Sequence, residues 1–451
     1  MFIGDRMGWA EEEFRGIDLG DARRDRRAVQ LVERLAERPT ASLPGACNGW
    51  AETQAAYRFL SQETFDWMDI LEPHRQCTRE RMATQPVVLC VQDTTELNFN
   101  GQAIEGLGPL SFEAQRGMYL HPTYAITPER EPLGVVDAWM WAREPKGPDG
   151  TRPGIKESIR WGEGYARVAD LAAELPQTRL VYVADRESDL LDLMVRARDL
   201  GNPADWLLRA KHNRALPEGD RLWDRVLASE PLGEIRFVLP AGRGRAAREV
   251  HQQLDAQRVT LPDGRRGTLE ATGVIAREVD APAGVKPIEW RLLTNREATT
   301  LEAAVALIEW YRARWEIERL FLVLKEGCRV EALQLGTMAR LERALALFLV
   351  VSWRIARLMR LGRTVPDLDA GLLLETEEWQ AAYILAKKPI PKDPPRLNDV
   401  MRLIARLGGF LGRKGDGEPG LKTIWLGMQR IMDFAAGVKY AREMPDTESC
   451  V

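Results

Sequence analysis

The residues of this chain best suited to chemistry are three carboxylates, with a phenol and two cations around one of them. Residues 311–325 read YRARWEIERLFLVLK, a Y-x₂-R-x₃-E-x₆-K spacing. At roughly 100° per helical residue, Tyr311, Arg314, Glu318 and Lys325 fall within about 60° of one helix face, with Trp315 beside them. A carboxylate set between two permanent cations and a phenol suits phosphate and metal. Alone, the segment reads better as an amphipathic helix with a salt-bridged outer face. Asp93 and Asp185 reverse that reading. Each closes an apolar run with the character of a buried strand, PVVLCVQD (86–93) and RLVYVAD (179–185). The carboxyl edge of such strands is where open α/β sheets bind ligands. Either Asp in isolation would be a turn or cap residue. Three carboxylates converging without His or Cys suit hard cations, Mg²⁺ or Mn²⁺. Two such ions can activate a water or hydroxyl and stabilise the leaving oxygen of an in-line phosphoryl displacement. Arg314 and Lys325 would then hold the phosphodiester.

Elements with the right order surround these residues. Residues 9–80 read as helices, with Asp21 as an N-cap and Val29, Val32 and Leu35 as an apolar stripe. Arg23, Arg24, Arg26 and Arg27 crowd the start of that helix, against its dipole. A bound phosphate would resolve the conflict, and so would neutralisation by Asp21, Asp25 and Glu33. Strands are expected at 86–93, 119–126 and 134–142, a helix at 156–175, a strand at 179–185, a short helix after it, and a strand at 206–211. That order suits a mixed sheet flanked by helices, an α/β fold. Residues 215–295 alternate in short runs, as a β-rich insertion with a basic segment at 243–248. A helix over about 299–326 and an apolar helix over 341–360 follow. The Pro-rich stretch 387–396 leads to an amphipathic C-terminal helical module. The expected domains are 1–75, 76–385 and 386–451.

Composition limits the setting. The 451 residues carry 63 Lys and Arg against 67 Asp and Glu, a net charge of −4, so any DNA contact must come from local basic patches. Five cysteines without a CxxC pair and four scattered histidines argue against zinc sites and disulfide frameworks, and point to a reducing cytosol. No secretory signal is evident at the start of the sequence, and the most apolar stretch, 344–351, is too short to span a bilayer.

Several stretches together resemble a known family: LGDARRDRR (19–27), AAYRFL (55–60), QDTTELNF (92–99), VADRESD (183–189), LLRAKH (207–212), WRLLT (290–294), YRARWEIE (311–318) and IARLGGF (404–410). In this order and spacing the chain resembles the DDE transposases of bacterial cut-and-paste insertion sequences, the insertion-sequence-four family with its Y-R-E-K signature, and within it the transposon-five type. The resemblance implies an RNase H-like catalytic core, with Asp93, Asp185 and Glu318 as catalytic ligands of two Mg²⁺ ions, Mn²⁺ substituting. It implies that Tyr311, Arg314 and Lys325 contact DNA phosphates, and that Trp290 stacks on a flipped base with Trp315 bracing it. Core packing is the other reading of Trp290. Arg209, Lys211 and Arg214 would track the DNA backbone, unless they form a solvated strand end. Arg23, Arg24 and Arg27 would belong to a helical end-binding domain. His121 lies near the site in one reading and is a satisfied core histidine in the other. The implied partners are double-stranded transposon ends and target DNA, with a homodimer in the synaptic complex, in the bacterial cytosol and away from membranes. A non-cleaving end-binding regulator and a plain metal-dependent nuclease are the alternatives.

Overall fold

The computed structural model describes residues 8–239, 246–264, 267–413 and 416–443. Five helices come first: α1 (Trp9–Glu13), α2 (Ala22–Glu37), α3 (Leu43–Ala46), α4 (Trp50–Leu60) and α5 (Trp67–Ala83). Residue 75 lies inside α5, which packs on the sheet and on a C-terminal helix. The attachment is polar as well as apolar. Buried His74 donates from Nδ1 to Glu13 at 2.5 Å, while its Nε2 accepts from Val135 N–H at 2.9 Å. Burial alone would raise the Glu13 carboxyl, but His74 and Arg81 outweigh it and hold it at about 2.

The sheet begins with β1 (Val87–Gln92), β2 (Thr95–Asn98), β3 (Gly108–Pro109), β4 (Arg116–Ile126) and β5 (Pro132–Trp141). Next come α6 (Ile159–Glu174), β6 (Arg179–Ala184), α7 (Leu191–Asp199), β7 (Asp205–Arg209) and α8 (Leu222–Leu227). Then follow β8 (Gly233–Leu239), β9 (Arg248–Pro262), β10 (Thr268–Val279) and β11 (Glu289–Thr294). The main path runs β2-β4-β1-β6-β7-β11-β10-β9-β8, with β3 and β5 also on β4. The pairs β1–β6 and β6–β7 are parallel and the rest antiparallel. The strands expected as an insertion do not form a separate sheet. They pair onto β7 through β11 and lengthen the same one. Of the basic segment 243–248, residues 243–245 lie outside the described residues.

The remaining elements are helical: α9 (Leu301–Ala313), α10 (Trp315–Leu322), α11 (Met338–Thr364), α12 (Thr376–Leu385), α13 (Leu397–Leu407) and α14 (Leu421–Glu443). The C-terminal helical layer starts before residue 386, because α12 packs on α13 and α14. The expected single helix over 299–326 is two helices and a widened turn. Backbone bonds from Arg314 N to Tyr311 O and from Ile317 N to Arg314 O, both 3.1 Å, tighten the chain at Arg314. A π-helical turn, Val323–Gly327, then loosens it, closed by Cys328 N to Val323 O at 2.7 Å.

Strand alternation divides the core. Val88, Cys90, Tyr182 and Ala184 face α6 and α7, while Leu89, Val91, Val181 and Val183 join the cluster that holds α9, α10 and α11. Two residues on, the same parity turns position 93 after β1 and position 185 after β6 toward α9 and α10. Gln92 goes the other way, under α6. Its Nε2 donates to Thr123 at 2.7 Å and its Oε1 accepts from Tyr182 at 2.8 Å. Gly164 of α6 sits so close that an added Cβ would lie 2.2 Å from the Gln92 amide. Gly164→Ala must therefore push α6 outward or break the Gln92 bonds. It is expected to cost about 1–3 kcal/mol in urea denaturation, typical of overpacking, and an unchanged midpoint would show that α6 does not clamp this strand end.

Candidate active site

Register places the two aspartates side by side. β1 and β6 pair Val87 with Arg179 through Val91 with Val183, and continuing that alignment sets Asp93 opposite Asp185. On its other side β1 pairs Gln92 with Thr123, and β2 resumes the same alignment at Thr95 with Leu120. Asp93 and Thr94 therefore interrupt one ladder, opposite Pro122 and His121. Pro122 has no N–H to give, so the ladder lapses there and frees the strand end for a side chain with another task. Asp93 Oδ1 accepts from the Thr94 backbone at 2.8 Å, and Asp185 Oδ1 accepts from Glu187 N–H at 2.8 Å.

Arg314 lies between the carboxylates. Its guanidinium binds Asp93 Oδ2 and stands 4.0 Å from Glu318 Oε1. It is only 8% exposed. Burial would lower its affinity for the proton, but Tyr311, Asp93 and Asp185 reverse that and raise it. Asp93 rises to about 6, first through burial and then through the negative fields of Asp185 and Glu318, with Arg314 opposing. The three carboxylates thus share one electrostatic neighbourhood. They do not form the expected common cage: among the described residues, no three His, Cys, Asp or Glu side chains are gathered to hold a metal. The cation on Asp93 is a guanidinium, and Glu318 stays half-exposed on the far side of it. The donor set still fits a hard ion, because two in-register carboxylates and a third nearby offer oxygen only.

The expected phosphate contacts are distributed around this centre. Tyr311 is buried, with Arg314 and Arg209 guanidiniums 5.8 and 5.9 Å from its ring. Trp315 is 61% exposed beside Arg314, and Lys325 is half-buried in the π-helical turn. Lys211 is exposed and its charge is felt by Glu187. Arg214 turns inward instead. Its Nη1 lies 2.6 Å from Asp189 Oδ1, and the other oxygen of that buried carboxylate accepts from the backbone of Lys211 and His212. Arg214 thereby holds the turn that presents Lys211. Trp290 is half-buried and stacks at 10° on Phe237, 6.5 Å away, with Arg312 over both rings.

In the N-terminal helices, the crowded arginines of α2 have local partners. Asp21 caps α2 through Arg23 N–H and also binds the Arg23 guanidinium at 2.9 Å. These bonds draw Asp21 down to about 2. Arg24 donates to Leu19 O at 3.2 Å and Arg27 to Gln30 at 2.6 Å. The neutralised reading of the cluster holds for Arg23, whose side chain still remains 83% exposed.

Sequence reasoning missed Glu187, Phe237 and Arg312. Glu187 lies two residues after Asp185, and its carboxyl is raised by burial and by Asp185. His121 lies near the site, and as a buried histidine it is satisfied at only one of its two ring nitrogens among the described residues. It is buried against Trp139 and Trp161, and its Nδ1 shares a 2.7 Å hydrogen bond with Thr94, next to Asp93. Its Nε2 has no partner among the described residues, and burial drives its pKa down to about 3.

Three family models match successive parts of the chain. They are a transposase DNA-binding domain over residues 6–65, a transposase DDE domain over 165–353 and a transposase Tn5 dimerisation domain over 350–448. The second range holds Asp185, Trp290, Arg314 and Glu318 and begins after Asp93. A solved cryo-EM structure of the piggyBac transposase synaptic complex with hairpin DNA is similar at a TM-score of 0.32 and 8% sequence identity. That match covers 84% of this chain and spans 58% of the other, and a score so low decides nothing about the fold.

If Arg314 is the resident countercharge of the carboxylates, Arg314→Met leaves buried negative charge unpaired. It should cost about 3–5 kcal/mol in the absence of divalent ions. Added Mg²⁺ should then raise the melting temperature of the variant more than that of the wild type. Equal Mg²⁺ shifts in the two proteins would remove Arg314 from that role.

Proposed function

We propose that this chain, a DNA transposase by its DNA-binding, DDE and Tn5-type dimerisation domains, works by cut and paste in the manner of the insertion-sequence-four family. The DDE domain family generally uses divalent metal ions and marks a polynucleotidyl transferase. The observation that carries the finer reading is the in-register pair Asp93 and Asp185, with Arg314 on Asp93 and Glu318 4.0 Å from the same guanidinium. Asp93, Asp185 and Glu318 would hold two Mg²⁺ ions, with Mn²⁺ as a substitute. Bound there, such ions supply Lewis acidity to the attacking and leaving oxygens of a phosphodiester.

The chain's own residues supply position and charge. Arg314 and Lys325 hold the phosphate at the carboxylate edge, and Tyr311 keeps Arg314 charged and aimed. Lys211 and Arg209 extend positive charge along the strand. Water attack at each transposon end frees a 3′-hydroxyl, and that hydroxyl then attacks the opposite strand to give a hairpin. Trp290, backed by Phe237 and Arg312, is the platform for the base that must leave the stack in so tight a bend. Opening the hairpin and joining the 3′-end to target DNA repeat the same phosphoryl transfer, so one centre serves all four steps. In the synaptic complex two copies act together, each holding one end and cutting the other. Among the described residues no helix is long and apolar enough to cross a membrane.

The test is cleavage and strand transfer on the inverted repeats that bracket the reading frame, with Mg²⁺. Asp185→Ala is expected to bind those ends normally and to lose cleavage by about 10³-fold or more. Binding without cleavage by the wild type would leave a regulator, and cleavage without joining of precut ends would leave a nuclease.

The Asp93 shift adds a pH dependence. A carboxyl raised to about 6 holds its proton below that value and competes there with a cation. The Mg²⁺ concentration for half-maximal cleavage should climb as pH falls through about 6. Without ions the linkage to stability has the opposite sense. This group favours the folded state at low pH, and that contribution is lost as pH rises through about 6. A flat Mg²⁺ requirement across that range would contradict this account of Asp93.

A further inference from the structure

An acidic chain hides a concentrated positive patch behind the candidate base platform. Arg312 faces two ways. Its guanidinium lies 4.7 and 5.8 Å from the Phe237 and Trp290 rings, and it binds Glu309 on its own helix. Glu309 also binds Arg130 at 3.2 Å, from the turn between β4 and β5. On the next helix Glu316 is shared by Arg319, at 3.4 Å, and Arg360 of α11. One turn on, Arg363 donates to the Pro419 carbonyl. Four guanidiniums thus share two carboxylates, and the fifth rests on a carbonyl oxygen.

The patch is unbalanced by every measure the side chains offer. The charge of Arg130 is disfavoured first by burial, with Glu309 opposing and Arg312 and Arg319 adding to the effect. Arg360 is driven down to about 10 by burial, Arg130 and Arg363, and Arg363 by burial and Arg319, with Glu418 opposing. Glu418 is itself paired with Arg402 at 2.7 Å. The Nε atoms of Arg360 and Arg363 are buried without a hydrogen-bond partner among the described residues. Arg130 holds a φ of +72°, a left-handed conformation that a long side chain rarely adopts without compensation. Strained backbone and crowded, perturbed cations gather at sites that bind anions.

We infer that Arg312, Arg130, Arg319, Arg360 and Arg363 form a phosphate track for a DNA strand that continues past Trp290, away from the carboxylates. The ligand chemistry is a phosphodiester backbone, because several guanidiniums spread over α9, α10 and α11 match repeated single charges. Its source is either DNA flanking the transposon end or target DNA. This inference rests on the function proposed above.

The test uses Arg130→Gln and Arg319→Gln, singly and together. Both side chains are partly exposed, and their ion-pair partners are Glu309 and Glu316. Binding is measured against salt on three probes: an end duplex carrying flank, the same end precut without flank, and a target plasmid offered to the precut complex. The double variant should bind one of the first or third probes about tenfold more weakly, with the slope of log affinity against log salt reduced by about 2. Loss on the flanked end alone identifies flank, and loss at target capture alone identifies target. Binding to the precut end, and hydrolysis of a bound end, should be unchanged. The melting temperature of the free protein should hold or rise, since crowded cations are being removed. A normal salt slope on every probe, a falling melting temperature with unchanged binding, or an effect confined to dimer formation would each overturn the track. If the wild type binds no DNA, the function reading fails first, and that outcome differs from a wild type that binds while the variants match it.

Discussion

Two carboxylates at the ends of neighbouring parallel strands are a standing electrostatic conflict, and the middle of this molecule is organised around it. At about 5 Å and an effective dielectric near 20, a pair of full negative charges repels by roughly 3 kcal/mol. Parallel pairing of β1 and β6 forces that closeness, because Asp93 and Asp185 share one register line. The protein meets it in two ways. It keeps a proton within reach of Asp93, and it brings Arg314 in from the helix side. The chain tightens between α9 and α10 at Arg314, and Tyr311 lies beside its guanidinium. A site with a guanidinium already among its carboxylates is matched to substrates and ions that carry opposite charges together, as phosphate and magnesium do.

The same logic, reversed in sign, governs the far side of α9 and α10. A net charge of −4 suggests little affinity for nucleic acid, yet charge is sorted by position and not spread evenly. Carboxylates collect at the sheet edge, and guanidiniums collect around Arg312, Arg319 and Arg360. Trp290 and Phe237 lie between the two regions, with Arg312 against both rings. Their place depends on β11 and β8 being strands of one long sheet, because that sheet carries the platform to the helices. An insertion folded on its own would leave Trp290 without a fixed relation to Asp185.

Much of this was legible in the residues. Continuous apolar runs ending in Asp93 and Asp185 announced buried strands, and Asp21 announced the start of α2. The Y-x₂-R-x₃-E spacing put Tyr311, Arg314 and Glu318 on one side of a helix, and Tyr311 and Glu318 do flank Arg314. What failed was whatever needed a partner from elsewhere. The helix was read as straight, but its tight turn at Arg314 and wide turn at Val323–Gly327 come from packing against the sheet and α11. Arg214 was expected to track the DNA backbone or to end a solvated strand, and its ion-pair partner Asp189 stands 25 residues away.

The sequence by itself determined which residues carry charge, which segments must be buried, and at which strand ends the two aspartates stand. Those follow from local periodicity and side-chain chemistry, which act over a few residues. Only the tertiary structure decided which charges meet. That Arg314 reaches Asp93 across 221 positions, that Glu318 stays outside the pair, and that Arg312 backs Trp290 all depend on how sheet and helices dock. Electrostatic energy varies with distance in space, and separation along the chain does not encode it.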